Sequence, residues 1–111
     1  MNTEIKGSHV EITDKIRDTI GRKMPRLDFA KDYLIDLLFH FSQEKSLYKL
    51  EANINFRWGT SIHVGAESFD IFEGIDRLFD KMELKVSKEK KRIQDHKGHE
   101  SVRTAETPEG E

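Results

Sequence analysis

Residues 69–97, FDIFEGIDRLFDKMELKVSKEKKRIQDHK, decide the fold. Phe72, Ile75, Phe79, Met82 and Val86 recur at spacings of three and four, the signature of one helix face. Ile71 and Leu78 widen that face until it needs a core to cover it. The second half changes character. From Lys81 to Lys97, seven basic residues (Lys81, Lys85, Lys88, Lys90, Lys91, Arg92, Lys97) stand against Glu83, Glu89 and Asp95, a net charge of +4. After Val86 only Ile93 remains to be buried, so the helix is expected to outrun its apolar support and project a basic end.

Upstream of this helix the hydrophobic period is two. Thr60–Ala66 alternates Ile62, Val64 and Ala66 with Ser61, His63 and Gly65. Leu47–Arg57 alternates Tyr48, Leu50, Ala52, Ile54 and Phe56 with Lys49, Glu51, Asn53, Asn55 and Arg57. Each pattern predicts a half-buried strand, and Trp58-Gly59 between them predicts a tight turn with Gly59 at positive φ. Before them, Tyr33, Ile35, Leu37, Phe39 and Phe41 predict a third strand with that face buried, joined to its successor through residues 43–46. Asn2–Gly7 predicts a short edge strand. Thr13 offers an N-cap to a first helix whose stripe runs Ile16, Ile20, Met24, Leu27. Pro25 falls within that stripe and is expected to kink the helix, with bare Gly21 easing the bend or a close contact. Ser68 is expected to cap the long helix, with Asp70 in its first turn.

The order is β-α-β-β-β-α. With one sheet face apolar, both helices belong on it, giving an α+β two-layer sandwich with a four-stranded sheet. The other face, carrying Glu51, Asn53, Asn55, Ser61 and His63, stays open. The expected domain is residues 1–97, followed by a disordered polar tail over 98–111.

Composition narrows the function. At 111 residues there is room for one modest core. The net charge of −2 conceals a division: residues 1–80 carry −3, residues 81–97 carry +4, and the last fourteen carry −3. A local basic footprint is what phosphate binding requires, whatever the overall balance. Without cysteine there are no disulfides and no thiolate chemistry. With no apolar run of membrane-spanning length and no signal-peptide core, a cytoplasmic protein is expected.

Lys81, Lys85, Lys88 and Arg92 share one side of the long helix at spacings that could follow a phosphate backbone, and Lys90, Lys91 and Lys97 widen the patch. A solvated helix end complementing the macrodipole is the plainer reading. Arg22, Lys23 and Arg26 offer a second basic strip. Trp58 beside Arg57 is a candidate contact for RNA or protein, or else packs its own loop. Most other aromatics, Phe69 and Phe72 included, fall on periodic core faces. His96 and His99 extend the basic patch; no histidine spacing suits a metal, and no cofactor is expected. Asp36, Glu51 and His63 could meet on the open face, but nothing there fixes a nucleophile, so no enzyme is expected.

Three segments together carry a family resemblance: IKGSHVEIT (5–13), the three-strand middle, and GAESFDIFEGIDRLFDKMELKVSKEKKR (65–92). The chain resembles the ribosome hibernation promoting factor family, which includes the ribosome-associated inhibitor A type, over residues 2–97. Asp70, Phe72, Ile75, Asp76 and Lys81 fit its second-helix motif. The resemblance implies a fold similar to double-stranded-RNA-binding domains and the short, single-domain form. It also implies binding to the small ribosomal subunit across the mRNA and tRNA positions, which silences idle ribosomes in stress or stationary phase. Implied partners are 16S rRNA, 70S ribosomes and their dimers, for a protein that is monomeric when free. Lys81 and Lys88, and Lys90 for the hibernation-promoting subtype, match its rRNA-contacting positions. Leu84 stands where the family often has a basic residue, Lys85 where Gln is usual and Phe72 where Tyr is common. Pro25 is an interruption that familiar members lack. Whether such a protein promotes or prevents ribosome pairing is left open by its tail. Two other functions fit the residues without the resemblance: a protein-interaction module using the open sheet face and Trp58, or a general double-stranded-RNA binder.

Overall fold

The computed structural model describes residues 1–98, with side chains through Gln94; the tail expected from residue 98 onward lies, from residue 99, outside the described residues. Four strands, β1 (Asn2–Ser8), β2 (Leu34–Glu44), β3 (Leu47–Phe56) and β4 (Ser61–Ser68), form one sheet in sequential order. β1 runs parallel to β2, and the other pairs are antiparallel. Two α-helices, α1 (Asp14–Lys23) and α2 (Ile71–Gly98), complete the β-α-β-β-β-α order and the expected two-layer sandwich. No helix among the described residues is long and apolar enough to cross a membrane.

The core follows from the two periods. Leu50, Ala52, Ile54 and Phe56 of β3 and Val64 and Ala66 of β4 are buried, while Glu51, Asn53, Ser61 and His63 on the opposite face are exposed. Ile75, Leu78, Phe79, Met82 and Val86 of α2 close over the apolar face with no exposed area, the Phe79 ring lying 5.8 Å from that of Phe39 on β2. Gly74 lets the helix come close, since a Cβ there would stand 2.7 Å from Leu50 Cδ1.

Several local expectations are corrected. In β2 the register slips between Leu34, which pairs with Phe56, and Asp36, which pairs with Asn55. Ile35 is the extra residue of this bulge. Leu34 therefore takes the buried place, Ile35 is left 46% exposed and Tyr33 is half-buried. Thr13 does cap α1, its hydroxyl accepting from the Ile16 N–H at 3.2 Å. The chain does not kink at Pro25: the α-helix ends, and 3₁₀ turns run over Met24–Tyr33. Pro25 has no N–H for the Gly21 carbonyl, and the tighter turn accommodates that loss. Leu27 still reaches the core, but Gly21 eases nothing, as a Cβ there would meet no atom within 4 Å.

Phe69 is 75% exposed rather than in the core. It precedes the α2 cap, where an apolar side chain ordinarily staples onto the fourth helical residue. That residue is Gly74, which has no side chain to receive it. The cap is Asp70, whose Oδ1 accepts from the Phe72 N–H at 3.0 Å. Ser68 stands behind it, accepting from the Asp70 N–H and donating to Glu73 Oε1, each at 3.1 Å.

Candidate nucleic-acid interface

The sides of α2 carry opposite charge, and the fold uses them differently. Asp76, Asp80 and Glu83 lie on the side facing α1 and the 3₁₀ turns. Lys23 pairs with Asp76. Arg26 donates from Nη2 to Asp80 at 2.6 Å and from Nε and Nη2 to Glu83 at 3.0 and 2.7 Å. The hydrogen bond to Asp80, then that to Glu83, raises the Arg26 pKa above its ordinary value. Of the strip expected from Arg22, Lys23 and Arg26, two cations are thus tied to carboxylates of the same molecule, and Arg22 is exposed.

The other side of α2 runs beside the free edge of β4. Arg77 Nη1 donates to the Glu67 carbonyl at 3.2 Å and Lys81 Nζ to the Gly65 carbonyl at 2.7 Å, capping two acceptors of that edge. Farther along, a groove of about 680 Å³ opens between helix and strand, lined by Lys81, Leu84, Lys85, Lys88 and Lys91 above His63, Val64 and Gly65. Among the described residues, none of these four lysines forms an ion pair. A row of solvated ammonium groups along a groove is suited to a polyanion.

The end of α2 is held down more firmly than its apolar pattern suggests. Glu89 is 8% exposed and accepts from Trp58 Nε1 at 2.8 Å and from Arg92 Nε and Nη2 at 3.0 and 2.7 Å. Burial pushes its carboxyl up, but the hydrogen bonds from Arg92 and Trp58, with the Arg92 charge, prevail and hold it below its ordinary value. The Trp58 ring stacks on Phe56 (5.2 Å) and tilts against Tyr33 (5.5 Å). It therefore packs its own loop and latches α2, with Gly59 at φ 95° completing the expected turn. Arg57 donates to the Asp32 carbonyl at 2.8 Å and stays exposed.

The family described as Sigma 54 modulation protein / S30EA ribosomal protein matches residues 3–94. The chain belongs to this family. A ribosome hibernation promoting factor of Klebsiella oxytoca is 31% identical over 96 residues, covering 86% of this chain and all of the relative. One from Azotobacter vinelandii is 30% identical across 97% of this chain and 98% of its own length. Among solved structures, a ribosomal subunit interface protein from Coxiella burnetii superposes with a TM-score of 0.75 at 28% identity, over 81% of this chain and 98% of that one. The N-terminal domain of Thermus thermophilus Protein Y gives 0.71 at 30% identity, over 79% and 98%.

Within this S30EA-type domain the motif residues have visible structural work: Asp70 caps α2, Ile75 fills the core, Asp76 holds Lys23 and Lys81 caps Gly65. Phe72 is half-buried, with Lys15 Nζ 4.9 Å above its ring. The remaining candidate cations do not form one patch. Lys90 points away from the groove, donating to the Phe29 carbonyl at 2.9 Å with its ammonium 5.5 Å from the Phe29 ring. Arg92 holds Glu89, which raises its own pKa. The side chains of His96 and Lys97 and all of His99 lie outside the described residues. Leu84, a departure from the family pattern in sequence, stands in space among the groove lysines, 71% exposed. Its neighbours at −3, +1, +4 and +7 are all lysines, and Lys91 rather than Arg92 completes the side that Lys81, Lys85 and Lys88 share.

Proposed function

We propose that the chain is a ribosome hibernation factor, which binds the small ribosomal subunit through 16S rRNA and excludes mRNA and tRNA by occupying their channel. The observation that carries this reading is the row of Lys81, Lys85, Lys88 and Lys91 beside the β4 groove, on a fold whose named relatives act at the ribosome. The mechanism requires no bond to be made or broken. Ammonium groups displace counterions from rRNA phosphates, and a rigid two-layer body fills the space a translating ribosome needs. The setting is a stressed or stationary-phase cytoplasm, with a monomer binding idle subunits or 70S ribosomes.

Sucrose-gradient sedimentation with purified ribosomes at two salt concentrations tests the proposal. The protein should travel with small subunits and 70S particles at low salt, leave them at high salt, and be displaced by tRNA bound with mRNA. Simultaneous binding with both mRNA and tRNA would refute channel occupancy.

A further inference from the structure

The β4 edge beside α2 is sealed in one part and open in the next. In an antiparallel strand the residues pointing their N–H and C=O outward alternate. Glu67 and Gly65 are two of these, their carbonyls capped by Arg77 and Lys81. The same alternation turns the backbone of His63 to the outer edge, where the helix offers Leu84 and Lys85 to the groove. Leu84 keeps 71% of its surface exposed although a polar side chain would fit the helix equally well. An apolar face, a backbone donor and acceptor that no side chain caps among the described residues, and three further ammonium groups thus converge on one groove.

We infer that this groove takes one unpaired nucleotide of an RNA, its base laid on Leu84 with its polar edge toward the His63 backbone, and its flanking phosphates on Lys85, Lys88 and Lys91. The inference rests on the RNA-binding reading above and specifies it further. A uniform duplex uses only the lysines and leaves Leu84 against solvent, because paired bases show no free face. An extended peptide added to β4 would need a run of free edge groups, and the capped carbonyls of Gly65 and Glu67 interrupt that run.

Two hairpin RNAs test this, identical except that one carries a single bulged adenosine and the other an abasic residue in its place. Wild-type protein should bind the adenosine hairpin about tenfold tighter, the size expected when about 55 Å² of apolar surface on the base and Leu84 is removed from water. Leu84→Ala should bind both hairpins equally, at the wild-type affinity for the abasic one. Leu84→Lys should bind both more tightly without telling them apart. Because Leu84 is outside the core, both variants should keep the wild-type thermal midpoint. Equal wild-type affinities, or a preference surviving in Leu84→Ala, overturn the inference while leaving phosphate binding intact. Failure to bind either hairpin at low salt overturns the RNA reading along with it. Tighter binding of an oligoglutamate peptide than of the adenosine hairpin assigns the groove to an acidic protein and also overturns it.

Discussion

Glu89 ties the basic half of α2 to Trp58 in the turn between β3 and β4. A carboxylate in the basic half of a helix would ordinarily be read as one more solvated charge, yet this one is buried between the Trp58 indole and Arg92. Leaving a buried partner unsatisfied costs about 1–3 kcal/mol. Glu89→Gln keeps an acceptor for Trp58 but loses the charge facing Arg92, so urea unfolding should show a loss of about 1–2 kcal/mol. The pH dependence has a definite sign. The folded carboxyl lies below its ordinary value of 4.5, so its contribution is complete above that value and disappears as pH falls through the lower folded pKa. The stability gap between wild type and Glu89→Gln should therefore be wide at neutral pH and shrink in acid. A gap that stays constant from neutral pH to pH 3 would assign the effect to packing instead. The same contact makes Arg92 a poor choice for removing phosphate contacts, since its loss disturbs the latch as well.

At the scale of elements, α1 and the 3₁₀ turns are joined to α2 by charge as well as by Ile16, Ile20 and Leu27. Arg26 bridges two carboxylates in a partly sheltered position, so Arg26→Ala should lower stability by about 1 kcal/mol, whereas Arg22→Ala should change it by less than about 0.5 kcal/mol. Thermal melts of the two variants make the comparison, and equal midpoints would remove the clamp. Gly21→Ala should raise stability by about 0.5–1 kcal/mol, because the position is helical, exposed and clear of neighbours. A lowered midpoint would show that α1 needs the bare backbone there after all. These elements also mark where sequence reading succeeds and stops. Strand alternation and the helix stripe are local periods, so the element order, the sandwich and most of the buried face were legible in residues such as Leu50, Ile54, Ile75 and Phe79. Ile35 was misplaced because a bulge is decided by the partner strand. Lys23 and Arg26 read as outward-facing in sequence, and Trp58 is left between an exposed contact and loop packing, because their partners, Asp76, Asp80, Glu83 and Glu89, lie 31 to 57 residues away.

For the whole molecule, a net charge of −2 is a poor guide to what it binds. The fold pairs Lys23 and Arg26 with the carboxylates on one side of α2 and leaves the lysines of the β4 groove without carboxylate partners among the described residues. Screening over about 8–10 Å at physiological salt lets the groove act on a nearby polyanion largely apart from the acidic remainder. Affinity for small subunits should therefore fall steeply with salt, even though the protein is acidic overall. Each phosphate contact contributes about 0.7–0.9 to the slope of log affinity against log salt. Replacing Lys85, Lys88 and Lys91 together with Ala should reduce that slope by about 2 and lower affinity most at low salt. These side chains line a solvent-open groove and form no ion pairs among the described residues, so the melting temperature should hardly move. Cosedimentation across a salt series, with melts of the same preparations, separates the outcomes. An unchanged slope at unchanged stability would mean that the groove does not face rRNA and that attachment to the ribosome uses another surface.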